Sequence, residues 1–166
     1  SVKKISDGYH TFCDYIDNFW RLFIQVFPEV KEYLEAEPQT AASRYRDNNT
    51  GGNIIFRPVT LLQMIKAIVY ILTEDNTVTI ENILNKYYQI DRNVSGNLWD
   101  KIIWNSVSKT MLVNNQILLK YLFVYIYDSS VLKEKHLKDF YQRYELVKNI
   151  DRDSVQEHLN MLINNT

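Results

Sequence analysis

The sequence predicts a single, predominantly α-helical domain of about seven or eight helices, with at most one minor two-stranded β pairing. Three observations carry that expectation. Apolar residues recur at helical three- and four-residue spacing in one stretch after another. Glycine and proline are scarce, 4 and 3 in 166 residues, which favours long regular elements. Side chains suited to capping, among them Thr79, Asp128 and Asp153, stand just ahead of apolar runs.

The elements follow in order. Phe12, Ile16, Phe19, Phe23 and Val26-Phe27 repeat at helical spacing, so residues from about 9 to 27 read as one long helix. Trp20 and Ile24 lie on another side of it, and a helix apolar on more than one face is buried on more than one face. Pro28 suits a first helical turn and starts a second, short helix to about Glu35, with Glu29, Glu32, Glu35 and Glu37 as a solvated acidic flank. Residues 38–53 carry almost no large apolar side chain and read as a long polar loop, a length that compact domains reserve for function or disorder. Gly51-Gly52 hinges the end of that loop. Ile54-Ile55-Phe56, β-branched and aromatic, reads as extended. Pro58 pushes Arg57 out of the α region and opens the next helix, which the apolar run 59–72 marks as central.

Thr79 reads as an N-cap flanked by a Val78–Ile83 staple, with its helix running to about Tyr88. Leu98 to Trp104 reads as a short helix with Trp99, Ile102 and Ile103 on one face. Lys109 to Val113 reads as extended and able to pair with residues 54–56. Ile117, Leu118, Tyr121, Leu122 and Tyr125 form a helical stripe. Asp128-Ser129-Ser130 breaks it and caps a helix over about 131–148, with Leu137, Phe140, Tyr144 and Val147 inward. Asp153 caps the last helix, whose Val155, Leu159, Leu162 and Ile163 face the core. No internal repeat is present, and residues 1–166 read as one helical domain.

Composition narrows the function classes. With 46% hydrophobic and 13% aromatic residues the chain is not a linker. Nineteen basic against 20 acidic residues leave a formal charge of −1, so DNA contact must rest on a local patch. The single cysteine, Cys13, cannot form an internal disulfide, and a reducing cytoplasm is the expected setting. No apolar run reaches the ~18 residues of a span, so no membrane partner is expected.

Candidate chemistry is thin. His10, Cys13, Asp14 and Asp17 share one helix face but have no second cluster to complete a metal shell. Cys13 lacks the cationic neighbours that activate a thiolate. Ser129, Ser130, His136 and Asp139 hold the letters of a hydrolase triad without a glycine-flanked nucleophile elbow. The glycine pair 51–52 is followed by no Gly-Lys-Ser/Thr. No catalytic residue, cofactor or metal is expected. The possible nucleic-acid contact is Arg44, Tyr45, Arg46 and Arg57, arginines interleaved with an aromatic, suited to phosphate contact with stacking. Three phosphate contacts imply a log-affinity against log-salt slope of only about −2.7. Lys133, Lys135, Lys138, Arg143 and Lys148 read as a solvated face diluted by acidic neighbours. Trp99 and Trp104 read as core, and Tyr121, Tyr125 and Tyr127 as packing with hydroxyls that could reach a partner.

Gly51-Gly52-Asn53-Ile54-Ile55-Phe56-Arg57-Pro58-Val59 before an apolar helix resembles the C-terminal half of the DGQHR-domain proteins, the group of the DndB-type regulator of DNA phosphorothioation clusters. Leu98-Trp99-Asp100-Lys101-Ile102-Ile103-Trp104-Asn105 followed by Met111, and the aromatic opening helix ending Phe27-Pro28-Glu29, point the same way, covering about residues 10 to 145. The naming Asp-Gly-Gln-His-Arg motif is absent, since Asp7-Gly8-Tyr9-His10-Thr11 lacks its glutamine and arginine. The resemblance implies a C-terminal part of a longer protein whose motif-bearing domain lies upstream. It implies a non-catalytic accessory or regulatory domain, tied to DNA modification, defence and transcriptional regulation, that contributes to DNA binding. The alternative reading is a protein–protein interaction or oligomerisation scaffold, with a protein partner or a second copy of itself.

Overall fold

Proline and capping side chains divide the chain into eight α-helices among the described residues. The computed structural model describes the backbone of residues 2–164 and the side chains of residues 13–164. Helix α1, Val2–Val26, ends where Pro28 forces Phe27 out of the helical region, and α2, Pro28–Glu35, starts with that proline in its first turn. There follow α3 (Pro38–Tyr45), α4 (Pro58–Glu74), α5 (Ile80–Tyr88), α6 (Gln116–Tyr127), α7 (Glu134–Lys148) and α8 (Val155–Asn164). Helix accounts for 67% of the chain, joined by one small antiparallel sheet of two strands, β1 (Trp104–Asn105) and β2 (Thr110–Met111). The predominantly α class holds.

Helices α4 and α6 pack on each other, α5 and α7 close around them, and α1 packs on α5 and α2. The more enclosed of the pair is α6, not the 59–72 helix that its apolar run marks as central. Leu118, Leu119 and every residue from Tyr121 to Ile126 are buried, whereas α4 leaves Leu62 and Val69 exposed. Polar links lock the pair and its neighbours. Gln63 Nε2 donates to Gln116 Oε1 at 3.1 Å, and Tyr70 hydroxyl meets His136 Nδ1 at 2.9 Å. Thr79 caps α5 as expected, its hydroxyl accepting from the Asn82 amide at 3.2 Å.

Several expectations are corrected. Residues 38–45 are helix α3, not loop. Pro38 occupies its first turn, and Ala41 and Tyr45, one turn apart, are both buried. Residues 54–56 form a 3-10 turn rather than an extended run, because the Asn53 side chain accepts from the Ile55 amide at 3.0 Å and caps it. Ile54 and Ile55 are thereby buried consecutively, which the two-faced alternation of a half-covered strand would not allow. The strand at 110–111 pairs instead with 104–105, in register Trp104 with Met111, across a turn in which Asn105 Oδ1 accepts from the Val107 and Ser108 amides, each at 3.0 Å.

Residues 98–104 make tight turns, not a helix. Lys101 adopts φ +62°, and the carbonyls of Asn97, Leu98 and Asp100 accept from Lys148 Nζ at 2.8, 3.3 and 2.7 Å instead of from amides a turn ahead. Trp99, Ile102, Ile103 and Trp104 are nonetheless core, as expected. Asp128 caps only a 3-10 turn, Ser129–Val131, before Leu132 extends the chain and α7 starts at Glu134. Asp153 lies inside the 3-10 turn Arg152–Ser154 that runs into α8 and does not cap it.

Candidate nucleic-acid interface

Asp47 begins the turn around which three of the four predicted contact residues, Tyr45, Arg46 and Arg57, gather. Its carboxylate accepts from the Asn49 and Thr50 amides at 2.8 and 2.7 Å, bonds that hold it below the usual carboxylate range, the Thr50 amide foremost. Gly51 and Gly52 follow with φ +75° and +73°, in the left-handed region where glycine carries no Cβ penalty. Asn53 N then donates to Tyr45 O at 3.0 Å, Val94 N to Gly52 O at 2.8 Å and Ile54 N to Arg92 O at 2.8 Å. The glycine hinge is a welded junction between the α3 exit and the 90–94 segment.

The arginines complete the weld. Arg57 Nε donates to the Gly51 carbonyl at 2.7 Å, its Nη2 donates to the same oxygen, and burial with Arg46 nearby pushes its guanidinium below its ordinary range. Arg46 Nε donates to the Phe56 carbonyl at 2.9 Å. Arg44 Nη2 reaches Glu32 Oε2 at 3.1 Å from an exposed position on α3. Tyr45 is buried, its ring 4.4 Å from that of Phe56 and 5.6 Å from that of Tyr33, its hydroxyl 3.0 Å from Glu32 Oε2. Burial and that bond raise its pKa. The fold thus brings Tyr45, Arg46 and Arg57 together around one turn, with Arg44 and Arg46 exposed and Arg57 half-buried.

Below the turn lies a network without a sequence signature. Glu29 Oε1 accepts from Arg92 Nε at 2.6 Å and from Asn53 Nδ2 at 3.2 Å, so Glu29 belongs to the interior rather than to a solvated acidic flank. The Arg92 guanidinium lies 4.5 Å from the Tyr88 ring centre. Only the i−1 proline and paired glycines marked the junction in advance; a carboxylate and an arginine 63 residues apart leave no local pattern.

The remaining candidates are dispersed. His136 bonds Tyr70 and stacks on Tyr121 at 5.2 Å, while Asp139 holds Arg143 at 2.9 Å, so Ser129 and Ser130 have neither as a base. The His10 side chain, and with it the 7–11 motif variant, lies outside the described side chains; among the described residues no group of three or more His, Cys, Asp or Glu converges. Among the described residues no helix is long and apolar enough to cross a membrane. Tyr121 and Tyr125 are buried, so their hydroxyls do not project to a partner. Of the basic set on α7, Lys133 pairs with Glu74 at 2.8 Å, and Lys148 turns inward.

Arg57 and the exposed pair therefore separate in experiment. Arg57→Ala is expected to lower stability by about 1–3 kcal/mol, the range for part-buried bonds from a charged donor. The Arg44→Ala/Arg46→Ala variant should keep its melting temperature within a few degrees. Any low-salt affinity for duplex DNA at this corner, read by fluorescence anisotropy, should fall in that stable double variant. Affinity unchanged there places DNA contact elsewhere.

No family model, curated protein or solved structure matches the chain.

Proposed function

We propose that the chain is a non-catalytic helical interaction module, the accessory or regulatory part of a DNA-modification or defence-associated protein of the DGQHR type. One observation carries the interaction reading. Before α1 enters the body, Ile16 and Trp20, one turn apart on one face, stand 39% and 41% exposed, with Tyr15 67% exposed beside Ile16. Trp20 also borders a groove of about 240 Å³ lined by Tyr33, Phe56 and Leu61. Contiguous exposed apolar surface of this kind marks a docking site. Of the candidate hydrolytic side chains, His136 is engaged with Tyr70 and Asp139 with Arg143 rather than with a serine. The setting rests on the Gly51–Val59 string and its companions in the sequence; the reading frame upstream of Ser1 should encode Asp-Gly-Gln-His-Arg, and a frame lacking it would remove the DGQHR setting.

Tyr15→Ser/Ile16→Ser in the full protein should dissolve any assembly seen by native mass measurement while circular dichroism and melting stay as in the parent. An assembly that survives both substitutions sinks the interaction reading. Duplex DNA is the second reading, favoured by the exposed guanidinium surface of Arg44 and Arg46 on one corner.

A further inference from the structure

The groove beside Trp20 is built from five separate segments of chain. Helix α1 supplies Trp20, α2 supplies Tyr33, the 54–56 turn supplies Phe56, and the first turn of α4 supplies Pro58 and Leu61. Arg46, the residue that closes α3, is the one charged side chain in the lining among the described residues. Its Nε donates to the Phe56 carbonyl at 2.9 Å, which fixes the guanidinium against the groove wall. Among the described residues its two Nη groups meet no acceptor, and neither the Trp20 indole N–H nor the Tyr33 hydroxyl has a hydrogen-bond partner. The neighbouring guanidinia differ: Arg44 holds Glu32, and Arg57 holds the Gly51 carbonyl. An arginine with both Nη groups unengaged presents the edge that grips a carboxylate through two parallel bonds.

We infer that this groove binds the C-terminal residue of a partner polypeptide, with a large apolar side chain in the groove and its α-carboxylate on Arg46. The inference rests on the interaction reading above and names the partner's chemistry. Ile16 lies one turn from Trp20 on the same face of α1, so apolar surface runs on from the groove and suits a second apolar residue upstream of the terminus.

Size, polarity and charge select that occupant. The groove holds about 240 Å³, less than the roughly 300–1,000 Å³ that encloses a whole small molecule, so it takes one end of a larger body. Its side chains offer hydrogen-bond donors and, the Tyr33 hydroxyl apart, no acceptor. A chain passing through would bring successive amide N–H groups that these side chains cannot satisfy, whereas a chain end brings two carboxylate oxygens to the donors. A nucleic-acid strand fits less well. The Tyr33, Tyr45 and Phe56 rings lean on one another at centre distances of 5.6, 4.9 and 4.4 Å, so a base finds little open ring face on them. Glu32 and Glu35 stand exposed on α2, where successive phosphates would meet them.

Trp20 makes the test direct, because the other two tryptophans, Trp99 and Trp104, are buried. Synthetic hexapeptides with free α-carboxylates, ending in each apolar residue in turn, are titrated against the full chain beside the same peptides amidated. Those ending in Phe, Leu or Ile should move the Trp20 emission to shorter wavelength and protect it from acrylamide, and Trp20→Phe should abolish that response. Amidation of the peptide and Arg46→Gln in the protein should each weaken binding about tenfold or more, the worth of a bond to a charged group. The melting temperature of Arg46→Gln should stay within a few degrees of the parent, and Arg44→Gln, outside the lining, should leave peptide affinity unchanged. Equal affinity for free and amidated peptides, unchanged affinity in Arg46→Gln, or an emission change that persists in Trp20→Phe overturns the inference. So does an array in which no peptide moves the emission; if a short oligothymidylate moves it instead, the groove is a nucleic-acid site. If the peptides fail yet Tyr15→Ser/Ile16→Ser still dissolves an assembly of the full protein, the chain-end inference falls and the interaction reading stands.

Discussion

Replacing Gly52 by alanine is expected to lower stability by about 3 kcal/mol or more, since left-handed backbone alone costs a non-glycine residue about 1–2 kcal/mol and a backbone clash adds to it. The residue sits at φ +73°, and an added Cβ would lie 2.1 Å from the Tyr45 carbonyl oxygen and 2.6 Å from its carbon. Those are backbone atoms and have no rotamer through which to yield. Relief requires prying the 46–53 loop from the end of α3, which stretches the 3.0 Å bond from Asn53 N to Tyr45 O and the 2.8 Å bond from Val94 N to Gly52 O. For a chain this long the melting temperature should fall by roughly 6–12 °C. Gly96→Ala is the control. Its nearest neighbour is the Asp91 carboxylate oxygen at 2.1 Å, the tip of a side chain that can swing away, and its φ is not in the left-handed region. A Gly52→Ala protein that melts no lower than Gly96→Ala would rule out the close approach.

Lys148→Met should cost about 2–4 kcal/mol, because each buried acceptor left without its donor costs on the order of 1–3 kcal/mol and water can reach part of this site. Methionine keeps the aliphatic stem and removes the ammonium from the Asn97, Leu98 and Asp100 carbonyls. Burial pushes the lysine down to about 8, Asp100 opposing and Lys101 adding. The folded chain therefore releases this proton sooner than the unfolded chain, whose lysine titrates near 10.4. Between those values the unfolded state binds more protons, so this group's contribution to stability increases as pH rises through 8 and is lowest below it. Above about pH 9.5 the trend reverses, because tyrosines held up by burial, Tyr87 and Tyr144 among them, ionise first in the unfolded chain. Chemical denaturation of parent and variant at pH 7.5 and 9 isolates the lysine. The parent should gain stability relative to Lys148→Met across that step, and a constant gap would exclude a depressed Lys148.

The sequence made most helices legible where large apolar residues recur, as in α1, α4 and α6, or where a cap adjoins the run, as with Thr79. Helix α3 escaped because its buried face is one alanine and one tyrosine, Ala41 and Tyr45, too little apolar surface to register as a period. Residues 98–104 misled in the opposite sense. Their apolar spacing fits a helix, but the carbonyls that a helix would use internally are claimed by Lys148 from about 50 positions later. The arginine cluster was legible as a cluster, since Arg46 and Arg57 do meet. That their donors turn onto the carbonyls of Phe56 and Gly51 depends on where the backbone folds back, which no spacing encodes.

The Glu29–Asn53–Arg92 network has an evolutionary consequence. Loss of Glu29 alone would strand a largely enclosed guanidinium, and loss of Arg92 alone would strand a carboxylate that is 13% exposed. Single substitutions at either place are therefore the unfavourable intermediates, while a joint exchange of all three for an apolar set is open. In any lineage carrying this fold, positions 29, 53 and 92 should drift slowly one at a time and switch together, leaving a covariation signal between α2 and the segment after α5 that the intervening helices lack.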